Sequence, residues 1–164
     1  MDLIFHFRML AKYNRIANEH LYEACGKLED GEYRKMRAGS FGSIHALLNH
    51  ILLGDRIWMA RFRGEGKVTP PLNSELYSGF GDLSAARRAE DKQIIAFFDG
   101  LGAAFLEREI SYTNSLGMAY VEKPAVAVTH MFNHQTHHRG QIHVMLSQTS
   151  VAPPSLDMHR IINP

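Results

Sequence analysis

Between Leu3 and Leu28 the chain places Leu3, Phe7, Leu10, Asn14, Ala17, Leu21, Ala24 and Leu28 at alternating spacings of four and three. That rhythm keeps one side of an α-helix apolar along its whole length, whereas a strand, with its period of two, would scatter the same residues over both faces. A helix is therefore predicted over residues 2–28, with a seam that needs neighbours lying nearly parallel or antiparallel to it. Asn14 is the one polar member of the seam. It reads as an amide that sets register or hydrogen-bonds inside the core.

Three more helical patterns follow. Ser43 is a good N-cap for a helix over 44–63, stopped by Gly64-Glu65-Gly66, with Leu47, Leu48, Ile51, Trp58 and Phe62 on its buried face. A third helix fits Leu83 to about Phe98, with Ile94, Phe97 and Leu101 on one stripe and Arg87, Arg88, Glu90 and Asp91 on the other side. Pro124 suits the first turn of a fourth, running to about Gln148. Residues 29–40 read as a loop with a helical turn, and residues 64–81, broken by Pro70-Pro71 and several glycines, as a crossover or lid. Residues 109–113 and 118–121 alternate around Asn114-Ser115-Leu116-Gly117, a hairpin pattern. The tail, with Pro153-Pro154, reads as a cap or a partner contact. The prediction is an all-α protein, a four-helix bundle with long crossover loops and a short β-hairpin before the last helix, in one domain over 1–164.

Composition narrows the functional classes. The net charge of +1 is spread over scattered basic residues, which leaves no footprint for nucleic acid. No apolar run is long enough for a membrane span, and Met1-Asp-Leu-Ile-Phe-His lacks the basic start and cleavage site of a signal peptide. A cytoplasmic location is the expectation. The single Cys25 excludes an intramolecular disulfide and, inside an apolar helical pattern, reads as a small core residue. Arg61, Arg63 and Lys67 read as a solvated helix end.

Five of the ten histidines fall within residues 130–143. His134 and His138, four apart, share a helix face about 6 Å apart along the axis, close enough to close on one cation. His130 extends the ladder but lies roughly 80° round from His138, so the three are not expected on one ion. A reactive metal site takes about three protein ligands and keeps a position open. The third is expected from a facing helix, and His50, between Leu47, Leu48 and Ile51, is the best placed; His45, roughly 140° round from it, should face elsewhere. Residues 125–148 hold no Asp or Glu, so the base would be a metal-bound water or the substrate itself.

The segments Tyr13-Asn14-Arg15-Ile16-Ala17-Asn18-Glu19, Phe41-Gly42-Ser43 through Asn49-His50-Ile51, Asp55-Arg56-Ile57-Trp58 and Asn133-His134-Gln135-Thr136-His137-His138-Arg139-Gly140-Gln141 resemble the DinB/YfiT-like family. The likeness continues through Ser111-Tyr112-Thr113-Asn114 and the Leu156-Asp157 ending. It implies a four-helix bundle holding a divalent metal, commonly nickel or zinc, through three histidines, which here fall on His50, His134 and His138. It also implies a homodimer and, by analogy with its best understood members, thiol S-transfer using a low-molecular-weight thiol cosubstrate.

Three functional readings stand at this point. An open three-histidine site can make a thiol nucleophilic for transfer to a small electrophile, or make hydroxide for hydrolysis. The third is a non-catalytic, metal-binding dimeric stress protein, which predicts a closed coordination sphere with His130 or Asn49 as a fourth ligand. Spacing assigns no role to Arg139, Gln141 or Tyr112. Trp58 and Phe62 read as core, Asn133 and Gln135 as flanking residues that point away from the ion, and Tyr112 as a lid residue.

Overall fold

The computed structural model describes residues 2–66 and 70–163. Four long helices, α1 (Leu3–Cys25), α3 (Ile44–Arg63), α4 (Phe80–Asp99) and α6 (Pro124–Leu146), carry the bundle. Two short ones lie in the connections, α2 (Asp30–Arg34) and α5 (Ala104–Glu107), and a third, α7 (Met158–Ile162), follows α6. The strands β1 (Ile110–Thr113) and β2 (Ala119–Glu122) pair antiparallel, Tyr112 opposite Tyr120, directly before α6. Among the described residues no helix is long and apolar enough to cross a membrane.

The local signals act as elementary chemistry dictates. Asp2 caps α1 by accepting from the Ile4 amide, and Ser43 caps α3 by accepting from the Ala46 amide. Gly64 ends α3 in the left-handed conformation, at φ 70°. Pro124 opens α6. Helix α1 stops at Cys25, three residues short of the predicted Leu28. There Gly26 lies under the Phe80 ring, and a Cβ on it would come within 3.1 Å of that ring. Helix α4 begins at Phe80, three residues before the predicted start, because Phe80 packs back on Tyr22 and Tyr33.

Packing orders the helices in a ring. α1 lies against α4 and α6, and α3 lies against the same two. Consecutive long helices α1 and α3 are thus diagonal, as are α4 and α6, which is why the connections between them are long. The apolar core has two centres, one around Leu21, Leu48, Leu52 and Ile142, the other around Phe7, Phe62, Phe98 and Phe132. Cys25 is buried, as expected, and burial pushes its thiol up to about 12, so it is a packing residue. The tail closes over α1, where the Tyr13 hydroxyl donates to the Leu156 carbonyl.

One expectation for α4 is overturned. Arg87, Glu90 and Asp91, placed on the side away from the apolar stripe, are all buried. Arg87 lies 2.6 Å from Asp55 of α3 and 2.9 Å from Asp91. Gln135 of α6 donates to the same Asp55. Asn18 of α1 donates to Asp91, and Arg139 of α6 donates to Asn14, Asn18 and Gln135. All four long helices meet in this polar layer. Asn14 has the core-bonding role its place in the seam predicted.

Removing one partner from such a layer leaves a buried charge without its counter-ion, which typically costs about 3–5 kcal/mol. Asp55→Ala strips Arg87 of one carboxylate and Gln135 of its acceptor, and urea denaturation should show a loss of that order. Asp30→Ala, which removes an exposed carboxylate, should leave the midpoint unchanged.

Candidate metal centre

His50 comes from the middle of α3, His134 and His138 from successive turns of α6, and the two helices pack face to face. One ring nitrogen from each of the three lies within 4.8 Å of the others. The Nε2 atoms of His50 and His134 are 3.0 Å apart, inside the span of about 4.2 Å that two ligands of one ion can bridge. Phe41 stacks on His50, ring centres 3.9 Å apart, and meets the His138 ring edge-on, walling the cluster on one side.

The outer nitrogens decide which lone pairs face inward. His50 donates from Nδ1 to the Leu72 carbonyl at 2.8 Å, and His138 donates from Nδ1 to the Gln141 side-chain oxygen at 2.8 Å. Each ring is thereby fixed in the tautomer whose Nε2 carries a free lone pair. Burial lowers the basicity of all three imidazoles, most for His134, which falls to about 3 with the neighbouring histidines adding to the effect. Three imidazoles, two of them with the Nε2 lone pair turned inward, and no carboxylate between them form a donor set that suits a borderline divalent cation.

The third ring is admitted by a glycine. Gly54 sits one turn after His50 on the same face of α3, and a Cβ there would lie 2.9 Å from Cε1 of His134. Asn49 organises the other approach. Its side-chain oxygen accepts from the Leu76 and Tyr77 amides, and its amide donates to the Tyr77 carbonyl. Those bonds strap the crossover against α3 and bring the Leu72 carbonyl to His50. Asn49 is fully engaged in this role and is not a fourth ligand. His130 lies outside the cluster, its ring centre 6.1 Å from that of His134, and meets the Trp58 ring edge-on instead.

A cavity of about 310 Å³ opens beside the cluster, lined by His50 and His134, by Trp58 and Arg61 of α3, and by Tyr112 and Tyr120 of the hairpin. Tyr112 thus reaches the site as a lid residue would, and Trp58, packed against the core on one side, also forms part of its wall. Phe62 is fully buried in the core. Gln135 does point away from the cluster, into the polar layer, while Asn133 is exposed. His45 faces elsewhere, bonded to the Tyr33 hydroxyl. The expected solvated helix end holds for Arg63, which is exposed, and is corrected for Arg61, which is only partly exposed and held against Trp58 and Tyr112; Lys67 lies outside the described residues. A larger groove of about 420 Å³ runs between α1 and α4, but its rim is made of mixed acids and bases and brings no ligand cluster together.

Sequence reasoning missed Gly54, the Leu72 carbonyl and the tasks of Gln141 and Arg139. Only Gly54 left a signal, since glycine inside a helix costs about 1 kcal/mol relative to alanine and needs a reason. Gly54→Ala should displace the His134 ring and weaken divalent-ion affinity by about tenfold or more, with helix content unchanged. Competition with a chromogenic chelator measures this, and unaltered affinity would show that the ring does not depend on the gap.

With the geometry in view, comparison with known proteins adds the family. No curated protein shows significant similarity to the chain. The model of the DinB family matches residues 5–164, essentially the whole chain, and that match and the three-histidine cluster together fit a metal-binding protein. The chain belongs to the DinB family.

Proposed function

We propose that the protein is a metal-dependent thiol S-transferase in which His50, His134 and His138 hold one divalent ion, nickel or zinc, and the adjoining cavity admits a thiol and a small electrophile. The observation that carries this reading is the pairing of an all-imidazole donor set with an open cavity whose lining, among the described residues, contains no Asp, Glu or Cys. A nucleophile produced there has no protein carboxylate to deprotonate it and no protein thiol to replace it. When bound, the ion supplies a positive charge that lowers the pKa of a thiol and so favours the nucleophilic thiolate.

The chain's own residues do the rest. Leu72 and Gln141 keep the Nε2 atoms of His50 and His138 turned inward, which fixes where the sulfur is received. Phe41 and Trp58 exclude water from two sides. His130, the remaining imidazole in the lining, is placed to accept the proton that the thiol gives up. A sulfur–carbon bond then forms as the bond from that carbon to its leaving group breaks, and the leaving group departs with the electron pair. The non-catalytic alternative called for a fourth protein ligand. Neither Asn49, engaged with the crossover, nor His130, outside the cluster, supports it.

His134→Ala removes the ring whose basicity falls furthest. Elemental analysis after dialysis should give about one divalent ion per wild-type chain and far less in the variant. Equal content in both would end the metal assignment. A panel of low-molecular-weight thiols with a chromogenic electrophile then tests the chemistry. Turnover that rises with thiol concentration is expected, and hydrolysis of activated esters with no thiol response would replace transfer with the hydroxide reading.

A further inference from the structure

The end of the cavity away from the histidine cluster holds a cation with no counter-ion among the described residues. His50, Gly54, Trp58 and Arg61 follow one another along a single face of α3 at spacings of four, four and three. All four line the cavity, with Gly54 leaving its floor bare. The Arg61 guanidinium carbon lies 4.5 Å from the Trp58 ring centre and 3.9 Å from that of Tyr112. Ring contacts of this kind hold the flat face of a guanidinium and leave its N–H edge to bind something else.

Among the described residues nothing takes that edge. Among the described residues no oxygen accepts a hydrogen bond from Arg61 and no carboxylate pairs with it, whereas Arg8, Arg37, Arg56, Arg87, Arg108 and Arg139 each donate to a protein oxygen. An arginine remains charged even when half-buried, and a desolvated guanidinium with idle donors favours a planar oxyanion, which it can grip with two parallel hydrogen bonds. Among the described residues the cavity lining offers no acidic side chain to compete.

We propose that Arg61 anchors a carboxylate carried by the small molecule that reaches the histidine cluster, and so makes the cavity select acids over neutral analogues. The inference rests on the reading that substrate meets the protein in this cavity. It also sets a length. Arg61 and His50 are separated by about 16 Å of helix axis, part of which the long arginine side chain covers by folding back over Trp58. A ligand that occupies both ends needs several bonds between its acid and its reacting atom. The carboxylate could belong to the thiol or to the acceptor, and the two are separable by experiment.

Trp58 is the only tryptophan, and it touches Arg61, so its fluorescence reports occupancy directly. One arm titrates zinc-loaded protein with 6-mercaptohexanoate and 6-mercaptohexanol; the other uses 4-phenylbutyrate and 4-phenylbutanol, which carry no thiol. The acid should bind at least about tenfold more tightly than its alcohol in one arm or both. A preference in the thiol arm alone assigns the carboxylate to the nucleophile, and a preference in the phenyl arm assigns it to the acceptor. R61A should bring acid and alcohol to equal affinity with zinc content unchanged, and R61K should keep part of the preference. Equal affinities for acid and alcohol in both arms of the wild type, or a preference that survives R61A, would overturn the proposal. If the protein proves to bind no zinc, the phenyl arm run on metal-free protein still decides the role of Arg61, and only the metal reading is lost.

Discussion

The arrangement of this bundle depends on one buried polar layer. Asp55 and Arg87 face each other with essentially no solvent access, Asp91 completes the charge pair, and Arg139 ties Asn14, Asn18 and Gln135 into the same set. Every long helix contributes at least one member. Burying so many polar groups brings little net stability, since well-packed apolar residues would serve about as well. What the layer supplies is uniqueness. Sliding one helix by a turn would leave charges desolvated and unpaired, a penalty that a purely apolar core would not impose.

The layer also sets the candidate metal centre, because its members are sequence neighbours of the site residues. Gln135 follows His134, Arg139 follows His138, and Asp55 follows Gly54, the residue that makes room for the His134 ring. On a helix, adjacent residues point about 100° apart, so one turns into the polar layer while the other turns toward the cluster. Holding Gln135 against Asp55 therefore fixes the azimuth of α6 relative to α3, and with it the direction of the histidines. Asn49 extends the logic outward by strapping the crossover whose Leu72 carbonyl orients His50.

The cavity is electrostatically one-sided. Among the described residues it joins a cation-seeking cluster at one end to a guanidinium with no carboxylate partner at the other, and no acidic residue lines it. Aromatic rings from α3 and from the hairpin form the walls between. The hairpin, a small addition to a helical protein, thus earns its place by bringing Tyr112 and Tyr120 over the site.

The sequence determined the helices, because their signals are local. Alternating spacings of three and four, the Ser43 cap, the Gly64 stop and Pro124 at the start of α6 act within a few residues, and the observed bounds of α3 match the predicted ones. The histidine set was equally legible, since one face of α6 and the middle of α3 were the places where imidazoles could converge. Tertiary structure alone decided what α4 does with its charges and what Arg61 faces. Charged residues on a helix look solvated until their partners are known, and those of Arg87 lie partly on another helix, 32 residues away at Asp55. Periodicity records which side of a helix is apolar; it carries no record of a carboxylate or a ring that the fold brings to the other side.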